Sequence, residues 1–170
     1  MTPPRFVDER LGTIRARGQF RSPPTIEGEA GVRGRVGGRA VVLFCSNDYL
    51  GLRMDPGVRR AAAEAAERWG GGSGSSRLIA GSLPIHLELE EALADWLGTE
   101  AALVCSSGYQ ANLALLQGLA GRGDCILSDA LNHASLIDGC RLSRAAVQVL
   151  PHGEAAALRE ALAVPWEGER

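Results

Sequence analysis

The sequence predicts an α/β chain built on a parallel sheet, and three observations carry that reading. From Ala101 onward, strand-like runs at 101–105, 124–128 and 146–150 alternate with helical patterns at 109–120, 134–143 and 154–163. Such alternation is the signature of βαβ units, which close right-handed onto a parallel sheet. Glycine accounts for 22 of 170 residues, nearly double the usual ~7%. Aromatic residues make up only 5%, which favours a turn-rich α/β chain over a helical bundle.

The elements follow in order. Phe6 to Arg17 is a helix candidate stopped at Gly18, and Ser22-Pro23-Pro24 then enforces an extended passage. Val32–Val36 and Ala40–Cys45, separated by Gly37-Gly38, read as a small β-hairpin. Ser46-Asn47-Asp48-Tyr49-Leu50-Gly51-Leu52 is a polar turn. Pro56 to Trp69 is an alanine-rich helix with proline in its first turn, halted by Gly70-Gly71-Gly72-Ser73-Gly74-Ser75-Ser76. From Pro84 a second helix sets Ile85, Leu89, Leu93, Trp96 and Leu97 on one face and closes at Gly98. The N-terminal arm and hairpin, residues 1–45, have no core of their own, and residues 46–170 form the second division.

Composition excludes several classes. Twenty acidic residues against 18 basic ones give a net charge of -2, so nucleic acid is not an expected partner. No apolar run approaches the ~20 residues of a membrane span, and the start Met1-Thr2-Pro3-Pro4-Arg5 carries no apolar leader; the expected location is the cytoplasm. A length of 170 residues is enough for a domain with a core. Cys45, Cys105, Cys125 and Cys140 lack paired spacing and are expected to be buried, reduced thiols. His86, His133 and His152 are too scattered for a zinc site, so no metal is expected.

Two connections invite chemistry. Ser106, Ser107 and Gly108 lie ahead of the 109–120 helix, where unpaired N–H groups and the positive end of the helix dipole suit a phosphate. An ordinary glycine turn between strand and helix reads the same way. No Walker lysine follows, and Gly70–Ser76 comes after a helix, so neither a P-loop nor a Rossmann fingerprint is present. His133, after Asn132, sits at the next strand-to-helix connection, placed to stack, donate a hydrogen bond or act as a simple helix cap. Asn47 and Asp48 suit an Asx turn as well as a ligand. Arg21 and Arg77 are each able to take a carboxylate or phosphate bidentately, or to remain solvated. A Ser135, His133, Asp129 nucleophile set fails because the three are crowded on one connection and no G-x-S-x-G elbow is present.

Taken together, five ordered motifs resemble the α-oxoamine synthases, pyridoxal-phosphate enzymes that condense an amino acid with an acyl-CoA and lose CO2. They are Ser46–Leu52, Gly72–Arg77, His86-Leu87-Glu88-Leu89-Glu90, Ser106–Asn112 and Ser128–Gly139. The resemblance runs from about Arg21 to Leu162. It implies an incomplete PLP-dependent transferase large domain of fold type I, a three-layer α/β/α arrangement preceded by the helical arm and hairpin. It implies that Gly108 and Tyr109, with Ser107, bind the cofactor phosphate by their backbone, and that His133 stacks on the pyridine ring as the catalytic histidine. It implies that Asn47 orients the amino-acid carboxylate, that Arg21 meets the acyl thioester, carried by CoA or a carrier protein, and that Ser76 approaches the substrate from its loop. Leu78 stands where branches using a short acyl chain tend to carry asparagine, so a longer chain is implied. A homodimer is implied for the full-length enzyme.

One absence qualifies this resemblance. All 18 basic residues are arginine, and the sequence has no lysine. The family attaches its cofactor to a lysine, and it places an aspartate on the pyridine nitrogen. The resemblance therefore implies that these residues are the N-terminal part of such an enzyme and are inactive by themselves. A non-catalytic interaction module is the other reading of a chain without the lysine.

Overall fold

The computed structural model describes residues 5–28 and 32–166, so the start of the arm at Met1–Pro4 lies outside it. The chain divides into two compact units, Met1–Gly74 and Ser75–Arg170.

In the first unit, helix α1 (Arg5–Ala16) ends before Gly18, whose φ of 65° is the left-handed conformation that stops a helix. The guanidinium of Arg15 then lies 4.7 Å from the centroid of the Phe20 ring. Strands β1 (Arg33–Val36) and β2 (Arg39–Val42) pair antiparallel, with Val36 opposite Arg39. The two residues between them, Gly37 and Gly38, both have positive φ, 54° and 76°. That pair of conformations is the tight hairpin turn whose twist matches the strands. Helix α2 (Pro56–Trp69) starts on Asp55, whose carboxylate accepts the N–H groups of Gly57 at 2.8 Å and Val58 at 3.0 Å.

The second unit runs α3 (Pro84–Leu97), α4 (Gly108–Leu119), β3 (Cys125–Asp129), α5 (Ala134–Ser143), β4 (Ala146–Leu150) and α6 (Ala155–Ala163). β3 and β4 pair in parallel from Cys125 opposite Ala146 to Asp129 opposite Leu150, with α5 as the crossover. α4 packs on α5. The close approach depends on Gly139, where an added Cβ would fall 2.7 Å from Leu116 Cδ1 and 3.2 Å from the carbonyl oxygen of Asn112.

Three expectations are corrected. Residues 101–105 form no strand: among the described residues no neighbouring strand offers them a ladder, and the Val104 N–H instead donates to Glu90 Oε1 at 2.8 Å. The core is thinner than the length suggests. Ala94 and Cys140 are the buried apolar side chains among the described residues, while Leu103, Leu119, Val149 and Leu162 remain exposed. A two-stranded sheet with one helical crossover leaves most of its apolar faces uncovered. The cysteines are not uniformly buried either: all four are free, Cys140 is buried, Cys105 and Cys125 are half-buried and Cys45 is exposed. No described helix is long and apolar enough to cross a membrane.

Candidate cofactor site

Ser107 caps α4. It is extended, with φ -160° and ψ 156°, and its Oγ accepts the Gln110 N–H at 3.2 Å while its carbonyl takes Ala111 N–H at 3.0 Å. Those two bonds leave the N–H groups of Gly108 and Tyr109 without an acceptor among the described residues. Around Gly108 an added Cβ would meet nothing within 4 Å, so the turn faces open space. Two unpaired donors at the positive end of a 12-residue helix fit a phosphate group.

The Tyr109 hydroxyl reaches across to α5 and donates to Asp138 Oδ2 at 2.8 Å. That bond raises the Tyr109 pKa above its usual 10.0, chiefly because the phenol is held as a donor to a carboxylate. Asp138 is also paired with Arg141 at 3.4 Å. The side chain of Tyr109 thus ties α4 to α5 while its backbone N–H remains available.

His133 is the N-cap of α5. Its Nδ1 accepts the Ser135 N–H at 3.1 Å and lies 2.7 Å from Ser135 Oγ. Ser135 is fully buried and receives Asn112 Nδ2 at 2.8 Å from α4. The helix-cap role of His133 is thus the one the structure shows: Nδ1 caps α5, while the residue as a whole stays exposed. The buried position of Ser135 also removes it as a nucleophile. Asp129 turns elsewhere, to Leu131 N–H at 2.7 Å, Gly153 N–H at 3.1 Å and His152 Nδ1 at 2.9 Å. These bonds, led by that from Leu131, hold the Asp129 carboxyl at about 2. His152, exposed in the turn after β4, is thereby anchored on the end of β3.

Arg77 is likewise engaged internally. Its guanidinium grips Glu90 in a fork, Nη1 to Oε1 at 2.5 Å and Nη2 to Oε2 at 3.0 Å. The Glu90 side chain is only 12% exposed. Arg77 therefore offers no fork to a ligand; it closes the turn that presents Ser76, whose carbonyl accepts the N–H groups of Ile79 at 3.1 Å and Gly81 at 2.9 Å. Through Glu90 and Val104 this turn is tied to the segment that leads into Ser107. His86, given no role by its spacing, accepts the Leu83 N–H on Nδ1 at 3.0 Å and so starts α3. Arg21 and Asn47 belong to the first unit; Arg21 is exposed, and Asn47 Oδ1 accepts the Tyr49 hydroxyl at 3.4 Å.

Glu90 sets an expected acid sensitivity. The Arg77 fork, and after it the Val104 N–H, lower its pKa from 4.5 to about 2. A carboxyl whose folded pKa lies below its unfolded one contributes fully above the unfolded value and loses that contribution as pH falls through the folded one. Urea midpoints of the wild type are expected to drop between pH 4.5 and 2. Glu90→Gln should start lower and show a shallower drop, so that the two profiles converge in acid; parallel profiles would show that the fork is not what the acid titrates.

A family model described as aminotransferase class I and II matches residues 39–169. An 8-amino-7-oxononanoate synthase from Geobacter sulfurreducens is 51% identical over 159 residues, covering 94% of this chain and 41% of that protein. A serine palmitoyltransferase from S. paucimobilis, solved with a bound PLP–myriocin aldimine, superposes with a TM-score of 0.80 at 31% identity, over 96% of this chain and 42% of that one. The crystal structure of 8-amino-7-oxononanoate synthase from Francisella tularensis gives a TM-score of 0.60 at 29% identity, over 69% of this chain and 32% of that one. The chain spans about two fifths of the length of the curated relatives it matches.

Proposed function

The chain belongs to the aminotransferase class I and II family, and on that premise we propose that it is the cofactor-gripping part of an 8-amino-7-oxononanoate synthase. Its fold is part of the PLP-dependent fold type I large domain, and pyridoxal phosphate is the family's cofactor. The proposed reaction is the decarboxylative condensation of L-alanine with a pimeloyl thioester, a step of biotin biosynthesis, in a cytoplasmic homodimer.

The observation that carries the reading is the pairing of two structures on adjoining helices: the open donors of Gly108 and Tyr109 on α4, and the exposed ring of His133 at the start of α5. In this assignment the N–H groups of Gly108 and Tyr109 would hold the cofactor phosphate, with Ser107 keeping the helix end in shape, and His133 would cover the pyridine ring. When bound, pyridoxal phosphate supplies an electron sink for bond breaking at the amino-acid α-carbon. Asn47 and Ser76 are assigned to the amino-acid and substrate side, and Arg21 to the acyl thioester. Leu78, almost fully exposed on its loop, suits contact with a long apolar acyl chain.

The absent lysine divides the work. These 170 residues bind and orient, and a covalent bond from cofactor to a lysine side chain has to come from residues outside them. Isolated, they are expected not to turn over. Identities of 51% and 50% to oxononanoate synthases from Geobacter sulfurreducens and Anaeromyxobacter, over more than nine tenths of this chain, support the pimeloyl reading.

The test is a chimera in which these residues replace the matching segment of the Geobacter sulfurreducens relative. The expected result is CO2 release from L-alanine that depends on a pimeloyl thioester. A folded, cofactor-loaded chimera that uses glycine or serine, or a different acyl thioester, in preference would overturn the assignment.

A further inference from the structure

The hydrogen bonds around His133 determine where its proton sits. Its Nδ1 accepts the Ser135 N–H at 3.1 Å, because that backbone group can only donate. Ser135 Oγ lies 2.7 Å from the same nitrogen. Asn112 Nδ2 is also a pure donor and points at Oγ from 2.8 Å, so the hydroxyl accepts from Asn112 and its own proton is directed to Nδ1. Two donors therefore converge on Nδ1, and the imidazole proton is left on Nε2, which meets no partner among the described residues. Ser135 is fully buried, so water does not reach its hydroxyl or its N–H.

We infer that Ser135 and Asn112 are positioning residues that lock His133 as the Nε2–H tautomer with a fixed ring plane, making it a donor and a ring cover and not a base. Turning the ring over would carry Nδ1 away from both donors and put a C–H in its place. With Nδ1 occupied and Nε2 protonated, neutral His133 has no lone pair open to take a proton from a substrate. The consequence for catalysis rests on the cofactor reading above; the tautomer itself does not.

The test is 15N-histidine NMR on the 170-residue protein, with His133 assigned by its loss in His133→Gln. The expected wild-type pattern is an unprotonated Nδ1 and a protonated Nε2. Ser135→Ala keeps the backbone cap but removes the hydroxyl, and should raise the minor tautomer roughly five- to tenfold, the scale of one hydrogen bond. Ser135→Thr should restore the wild-type pattern. Asn112→Asp presents only acceptors and should shift the ring further towards Nδ1–H than Asn112→Ala does. A wild-type ring protonated on Nδ1, or mixed as in free histidine, would overturn the inference. So would unchanged ring signals in a folded Ser135→Ala; if that variant loses its dispersed amide spectrum, unchanged signals in Asn112→Asp decide against it. Because no cofactor is added, failure of pyridoxal phosphate to bind would count against the proposed function alone.

Discussion

Gly139→Val is expected to destabilise the protein by about 3 kcal/mol, at the upper end for overpacking a close contact, and to pull the candidate site apart. A Cβ at this position already falls 2.7 Å from Leu116 Cδ1 and 3.2 Å from the backbone carbonyl of Asn112. The leucine tip can swing aside, but the α4 backbone cannot move without α4 itself moving. Valine adds two further methyl groups in the same gap. Gly139→Ala should cost far less, about 1 kcal/mol, since the gain of roughly 1 kcal/mol in helix propensity offsets part of the crowding. Chemical denaturation should rank the three proteins in that order. In the valine variant the Asn112 to Ser135 bond and the Tyr109 to Asp138 bond both span the widened seam, so the tyrosine should titrate closer to its ordinary value. Equal stability of the alanine and valine variants would show that α4 and α5 are not seated on this glycine.

Gly108→Pro is expected to weaken pyridoxal phosphate binding by about 10- to 100-fold while leaving α4 intact. Proline deletes one of the two N–H groups assigned to the phosphate, and a hydrogen bond to a charged group is worth roughly 1.5–3 kcal/mol. The helix tolerates it for two reasons. Gly108 is the first helical residue, the position proline prefers. Ser107 before it is already extended, at φ -160° and ψ 156°, as the residue preceding a proline must be. Circular dichroism should therefore be unchanged while the dissociation constant rises. An unaltered constant would mean that the phosphate is held elsewhere.

Much of this was readable from residue order, because the signals were local. Pro56 and Gly70, Pro84 and Gly98, and the Gly37-Gly38 turn mark their elements with residues whose backbone preferences leave few alternatives. The segment 101–105 misled because an apolar run states only that a stretch can pair, and a strand also needs a neighbour. Long-range polar partners were equally hidden. Arg77 and Glu90 stand 13 residues apart, Asp129 and His152 stand 23 apart, and neither pairing follows from helical or strand spacing. His133 stands out by its place between strand and helix, but Ser135 is set beside it only as a rejected nucleophile, and Asn112 is not linked to it. The single hint was the serine two positions along, where a cap would find its N–H; Asn112 enters only through the packing of α4 on α5.

The most direct check on the central claim is a titration of the 15N-labelled protein with pyridoxal phosphate, following the amides of Gly108 and Tyr109 and the imidazole of His133 together. All three are expected to shift along one saturating curve, with one dissociation constant, and the curve to move to higher concentration in Gly108→Pro. Shifts confined to other segments, or a His133 ring that stays unmoved while the amides saturate, would contradict a single site gripping the phosphate on α4 and covering the ring from α5.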